Sequence, residues 1–320
     1  MLMTLSDAAK AIESGKWLHI AGSADLLGKL PKGNWIGGST EYFMDSTGGK
    51  VANDILFVSE IPYPVCKIAE YDEKDIHRIT KDAYENGFSL IILPFDSEVH
   101  KTYAKNAAGF TDMFLKNIIG WVSGVNLSVP GQVPVTVNGK TGKASSAKAM
   151  VMHVELPQDK IASVGIVNIF EPDSKSPVIE FPEDSFSATQ CFVNRKEVSL
   201  AAYIAENGVD TKLPLIGEYG GVGVNVSFKQ MEGDVVHFYA PVFKGIKYRL
   251  AAPMKDYAKE FKRRLKELDG DGSVFSCNCI LNFLYGELEG KKIQSFFGPI
   301  TFGEIAYQLV NQTLVYLVIQ

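Results

Sequence analysis

Two glycine-bearing stretches hold the residues best suited to chemistry. "FFGPITFGEIAY" (296–307) sets Gly298, Thr301, Gly303 and Glu304 in an otherwise apolar run, and "NWIGGSTEYFM" (34–44) sets Gly38, Ser39, Thr40 and Glu41 behind apolar residues. Glycine allows close approach of the backbone. Small hydroxyls beside backbone N–H groups suit the anionic end of a small ligand. Glu41 or Glu304 could then meet a cationic end, with Trp35 or Trp121 as an apolar wall and the Cys277 thiol nearby. A glutamate buried there must be paired or hydrogen-bonded, since an isolated carboxylate shifts its pKa. The same residues also read as strands that end in turns.

Other motifs fail on spacing. "NGKTGKASS" (138–146) lacks the glycine that a phosphate loop carries five residues before its second glycine; Pro134 or Val137 stands there, and a hairpin turn is expected. "EYGGVGVNVS" (218–227) lacks the third glycine of a dinucleotide fingerprint, and a strand pattern follows it. Cys277 and Cys279 share one strand face with Asn278 opposite, and a closed zinc site needs two more ligands. Small apolar packing is the expected role of this pair. His19, His77, His100, His153 and His237 are scattered, and Ser123 in "GWVSGVN" has no locatable base. No metal and no cofactor is expected.

The elements that must position these residues follow from periodicity. "WLHIAG", "NWIGG", "ILFVSEI" and "FSLIILP" read as buried strands, with a helical "SADLLGKL" between the first two. A helix over "EKDIHRITKDAYENG" is expected to stop at Gly87, and another over 253–268 to stop at Gly270 and Gly272, with Phe261, Leu265 and Leu268 on one face. The N-terminal helix carries Leu5, Ala8 and Ile12 on one face, with Ser6 or Asp7 near its cap. Alternation around "NGKTGK" and around "MEGD" predicts two hairpins, and "SVFSCNCI" and "TLVYLVI" are late strands. Alternating strand and helix patterns indicate a mixed α/β (α+β) fold. The two Gly/Thr/Glu stretches echo one another as a weak pseudo-repeat of halves.

A chain of 320 residues exceeds the usual single core, so two domains are expected, with a charged, proline-bearing connection "EPDSKSPVIEFPEDS" as a boundary. Net charge is −5 without a Lys/Arg block, which argues against a nucleic-acid partner. No run of 18 apolar residues is present, so no membrane span is expected. The N-terminus carries acidic residues and lacks a signal-peptide core, and the four cysteines, Cys66, Cys191, Cys277 and Cys279, are expected as free thiols; both point to the cytoplasm.

The C-terminal part resembles the FIST family of bacterial sensory domains: "APVFKGIKYRLAAP" (240–253), a helix, "VFSC" (274–277), "GPITFGEIA" (298–306) and "NQTLVYLVI" (311–319) follow the family's order. "IGGSTEYF" (36–43) is similar to its N-terminal glycine–serine–threonine turn, although "EYF" replaces a small residue and glycine, and the family's arginine after "FSC" is missing. The resemblance implies a FIST-N-like domain over 1–190 and a FIST-C-like domain over 191–320, as two related halves, each a mixed sheet flanked by helices. It implies a signal-input role in which an amino-acid-like small molecule binds between the halves. With no output domain expected in this length, signalling would pass through a separate protein. Two alternatives stand beside it: a thiol- or carboxylate-dependent hydrolase using Cys277 or Glu304, and a haem-based sensor with an axial His, Cys or Tyr.

Overall fold

Apolar runs too short for helices become strands here, and each finds partners far away in sequence. The computed structural model describes residues 1–266, 272–293 and 296–320. They form a mixed α/β fold of several sheets that divides into two compact units: residues 1–167, 261–309 and 313–320, and residues 168–260 with 310–312. A division at residue 190 does not follow these units. Strands Ser273–Cys279, Gly298–Thr301 and Thr313–Ile319 share one sheet with Tyr42–Asp45, so the C-terminal chain returns to complete the first unit.

Three strand–helix–strand segments organise the first unit. Trp17–Gly22 lies parallel to Trp35–Ser39 and is joined to it through helix Ala24–Leu27. Gly87–Pro94 lies parallel to Asn117–Ser123, with helix Glu98–Asn106 between them. Ser273–Cys279 lies parallel to Gly298–Thr301, with helix Ile280–Tyr285 between them. Each pair sits in a different sheet. These strands are buried along nearly their whole length, as parallel strands covered on both faces are.

After the first and third pairs the chain leaves its sheet. From Ser39 it turns through Thr40 and Glu41 into Tyr42–Asp45, which pairs with Gly298–Thr301. From Thr301 it turns through Phe302 and Gly303 into Glu304–Ala306, which pairs with Asn117–Ser123. Both Gly/Thr/Glu stretches are therefore crossings from one sheet to another, reached through the same order of elements.

The second unit is built of antiparallel ladders, one running Lys196–Ser199, Gln190–Val193, Ile179–Glu180, Tyr248–Leu250, Leu215–Tyr219, Val222–Val226. Its core gathers Phe181, Leu200, Phe228, Phe238 and Tyr248. Residues 310–312 join it through side chains: Ser227 Oγ donates to Gln312 Oε1 at 2.7 Å, and Asn225 Nδ2 to the Asn311 carbonyl at 3.0 Å.

Both expected hairpins are present, Thr136–Asn138 with Lys143–Ser145 and Phe228–Glu232 with Val235–Val242. The helices differ at their ends. Thr4, not Ser6 or Asp7, caps Leu5–Glu13, accepting from Asp7 N at 3.2 Å. The late helix runs Tyr257–Lys266 and begins after Pro253 and Met254, because Asp256 accepts from Lys259 N at 2.9 Å and fixes the first turn there. Leu268 and Gly270, expected at its end, lie outside the described residues. The helix expected over 73–87 is a 3₁₀ turn, Ile76–Arg78, and one α turn, Ile79–Asp82, and Gly87 opens the next strand.

Candidate functional site

In open α/β sheets, ligands bind beyond the carboxyl ends of parallel strands. The first unit has a cleft of about 540 Å³ in that position. Ser23 follows the Trp17–Gly22 strand into it, Ser39 and Thr40 end the parallel neighbour, and Gly124 follows Asn117–Ser123. Glu41 and Gln132 add to its polar wall, with Asp25, Lys29, Asn53 and Asp54. Three of the nine residues expected in a site, Ser39, Thr40 and Glu41, thus line one cleft.

The hydroxyls are already engaged. Ser39 Oγ donates to the Gly124 carbonyl at 2.7 Å and accepts from Val135 N at 2.9 Å. Thr40 Oγ1 donates to the Ile300 carbonyl at 2.8 Å and accepts from Tyr42 N at 3.2 Å. Their protons hold the crossing in shape and do not serve an anion, contrary to the reading from sequence. Glu41 is buried to 6% exposure, and its carboxylate accepts from two side-chain amides: Asn126 Nδ2 at 2.8 Å and Gln132 Nε2 at 3.5 Å. Both amides belong to the loop over 126–132, whose start is also held by Leu127 N donating to Tyr42 Oη at 3.0 Å.

The other six expected residues, Gly38, Trp121, Cys277, Thr301, Gly303 and Glu304, are not part of the cleft's lining. Gly38 lies against Trp121; a methyl group added there would meet the indole at 2.8 Å and Ile92 at 2.6 Å. Its missing side chain therefore serves packing. Trp121 is fully buried, and its Nε1 donates to His19 Nε2 at 2.7 Å. Trp35 is fully buried too and donates to the Pro31 carbonyl at 2.9 Å, so neither indole walls the cleft. Cys277 is buried, and its thiol donates to the Gly120 carbonyl at 3.5 Å. Burial, then the adjacent Glu304, pushes that thiol well above its usual range, the opposite of nucleophile activation. Gly303, with φ +153°, lets the crossing fit between Leu309 and Val122.

Glu304 is fully buried opposite Trp121 in the strand register. Thr301 Oγ1 reaches its Oε1 at 3.1 Å, while Thr313 donates to Oε2 through Oγ1 at 2.8 Å and N at 3.3 Å. Burial raises its pKa to about 8, against the hydrogen bonds of Thr313 and Thr301. It is a neutral, hydroxyl-bound structural carboxyl at moderate pH and meets no cation.

The buried His153 imidazole is occupied at both nitrogens as well, whereas His19 has a hydrogen-bond partner at Nε2 alone. His153 bonds Ser89 Oγ at 2.8 Å and Tyr71 Oη at 3.0 Å, and Tyr71 donates to Asp82 at 3.0 Å. Burial pushes His153 down to about 4 and His19 to about 3, so both stay neutral. None of the four cysteines forms a disulfide. Among the described residues no three His, Cys, Asp or Glu side chains converge as metal ligands would, and no helix is long and apolar enough to cross a membrane.

Reasoning from sequence missed the rest of the lining, notably Ser23, Asn53 and Gln132. Ser23 and Gln132 sit just past strand ends or in the loop after one, a signal that the strand assignments could have supplied.

Fold and cleft define a mixed α/β protein with a polar cleft at the ends of parallel strands. The chain belongs to a family of unknown function (DUF6976), whose profile matches residues 3–320. No curated protein matches it.

Proposed function

We propose that this chain is a FIST-like, sensory-type protein that binds a small polar ligand, of amino-acid-like size, in the cleft at Ser39, Thr40 and Glu41. The observation that carries this reading is the position of that cleft at the carboxyl ends of parallel strands, with the buried Glu41 carboxylate on its wall. The FIST resemblance is supported by the order of helix Tyr257–Lys266, strand Ser273–Cys279, the crossing at Phe302–Gly303 and strand Thr313–Ile319. Two related halves are supported by the shared strand–helix–strand–turn–strand order over 17–45 and 273–306. Occupancy of the cleft would be passed to a separate signalling protein, with the cytoplasm as the proposed location.

The hydrolase alternative has little to draw on, since Cys277 donates to a carbonyl and Glu304 is closed in by threonines. For haem, His19 and His153 would each have to give up an existing hydrogen bond. A thermal-shift screen of amines, amino acids, polyols and carboxylates tests the binding reading. We expect at least one class to raise the melting temperature, and to do so less in a Glu41→Gln variant. No stabilisation by any class would remove the reading.

A further inference from the structure

Resting on the cleft reading above, the geometry points to a ligand with a protonated amine and no carboxylate, its ammonium taken by Glu41 in exchange for Gln132. Glu41 is more than nine-tenths buried, yet its carboxylate is held by two neutral amides. A buried carboxylate is best satisfied by a charged donor, and Gln132 at 3.5 Å is at the outer limit of a hydrogen bond. Gln132 is exposed, and for its Nε2 to leave Glu41 its Oε1 must give up or re-form the bond it accepts from Asn126 N at 2.9 Å, whereas Asn126 Nδ2 at 2.8 Å would stay as the second donor.

Charge favours the same class. The other ionisable side chains of the lining are Asp25, Asp54 and Lys29, so three carboxylates face one ammonium. A ligand carboxylate would add a fourth negative charge. The hydroxyls that could have bound it, on Ser39 and Thr40, already donate to the carbonyls of Gly124 and Ile300. A metal ion fits less well, because no three metal-ligating side chains converge among the described residues. One unpartnered hydroxyl stands next to the lining without belonging to it. Ser123 Oγ is fully buried without a hydrogen-bond partner. Strand alternation puts it on the face that Trp121 turns to Gly38, one residue before Gly124 in the cleft wall.

Three probes of one size separate the outcomes: ethanolamine, ethylene glycol and glycolate, each titrated into the full chain and followed by backbone amide NMR shifts. Ethanolamine is expected to move the Thr40, Glu41 and Gln132 amides saturably, with affinity at least about tenfold weaker in Glu41→Gln, as for loss of one charged hydrogen bond. Gln132→Ala removes the competing amide and should tighten binding about twofold or more even if Glu41→Gln fails to fold. Equal affinity in Glu41→Gln, or unchanged affinity in Gln132→Ala, overturns the ammonium assignment. Glycolate or ethylene glycol moving the same amides as strongly as ethanolamine also overturns it, while leaving the cleft as a binding site. Silence at the cleft with all three probes, together with a blank thermal-shift screen, overturns both.

Discussion

At Glu304, to which the Cys279 side chain also bonds, the hydroxyl protons of the two threonines can be followed one by one. Thr301 has one hydroxyl proton and two acceptors in reach, the Asn278 carbonyl at 3.3 Å and Glu304 Oε1 at 3.1 Å. A protonated Glu304 resolves the shortage by donating to Thr301, which then donates to Asn278, while Thr313 serves Oε2. This agrees with a pKa raised by burial from 4.5 to about 8. The folded chain holds this proton more tightly than the unfolded chain, so the contribution is fully present below the unfolded pKa and is lost as pH rises through the folded one. Glu304→Gln keeps a donor and an acceptor but cannot ionise. Relative to it, the parent protein should lose on the order of a few kcal/mol of stability between about pH 4.5 and pH 9. Urea unfolding of both proteins across that range measures the difference; a flat difference would mean that Glu304 is ionised in the fold. The glutamate was conspicuous in the sequence as a carboxylate in an apolar run. Its hydroxyl partners were not, since Thr313 lies on a different strand and reaches it only through tertiary packing.

At the scale of elements, the two glycine turns act as crossings between sheets, and what they need is room. Gly38 sits in two ladders, opposite Ala21 and Thr136, with its α-carbon facing the Trp121 ring. Gly38→Ala should destabilise by about 1–3 kcal/mol through overpacking, and the displaced indole should weaken the Trp121–His19 hydrogen bond. Thermal melting reads the first effect, and the indole N–H resonance of Trp121 reads the second; unchanged values would mean that the sheets can part without strain. Strand existence was legible because alternation and short apolar runs are local signals: "WLHIAG", "FSLIILP" and both hairpins appear where periodicity puts them. Pairing was not, because partners such as Phe43 and Pro299 are set by long-range packing. The helix expected over 73–87 failed for a local reason. Ile76 and Ile79 are three apart, a spacing that a 3₁₀ turn followed by one α turn satisfies equally well.

For the whole molecule, chain order and spatial order part company. The sequence placed a boundary at the charged, proline-bearing stretch near 171–185, and the second unit does begin close by, at residue 168. What composition could not show is the return at 261–309 and 313–320 into the first unit, because the strands there are as apolar as any others. Among the described residues, a fragment of residues 1–190 therefore lacks five strands of the first unit's sheets: Ser273–Cys279, Gly298–Thr301, Glu304–Ala306, Gln308–Val310 and Thr313–Ile319. Without Gly298–Thr301 the Tyr42–Asp45 strand loses its partner on one side, and without Glu304–Ala306 so does Asn117–Ser123. Unpaired buried backbone and uncovered apolar faces oppose folding. We expect this fragment to show no cooperative thermal transition alone and to gain one when coexpressed with residues 191–320. Residues 168–260 keep every member of the second core, from Ile179 to Tyr248, and lose the bonds of Ser227 and Asn225 to 310–312 and the part of helix Tyr257–Lys266 beyond Glu260. That fragment should melt cooperatively by itself, at a temperature below that of the same unit in the full chain. Circular dichroism of the three preparations decides the matter: a cooperative transition in 1–190 alone would mean that the late strands decorate the first unit and are not required to build it.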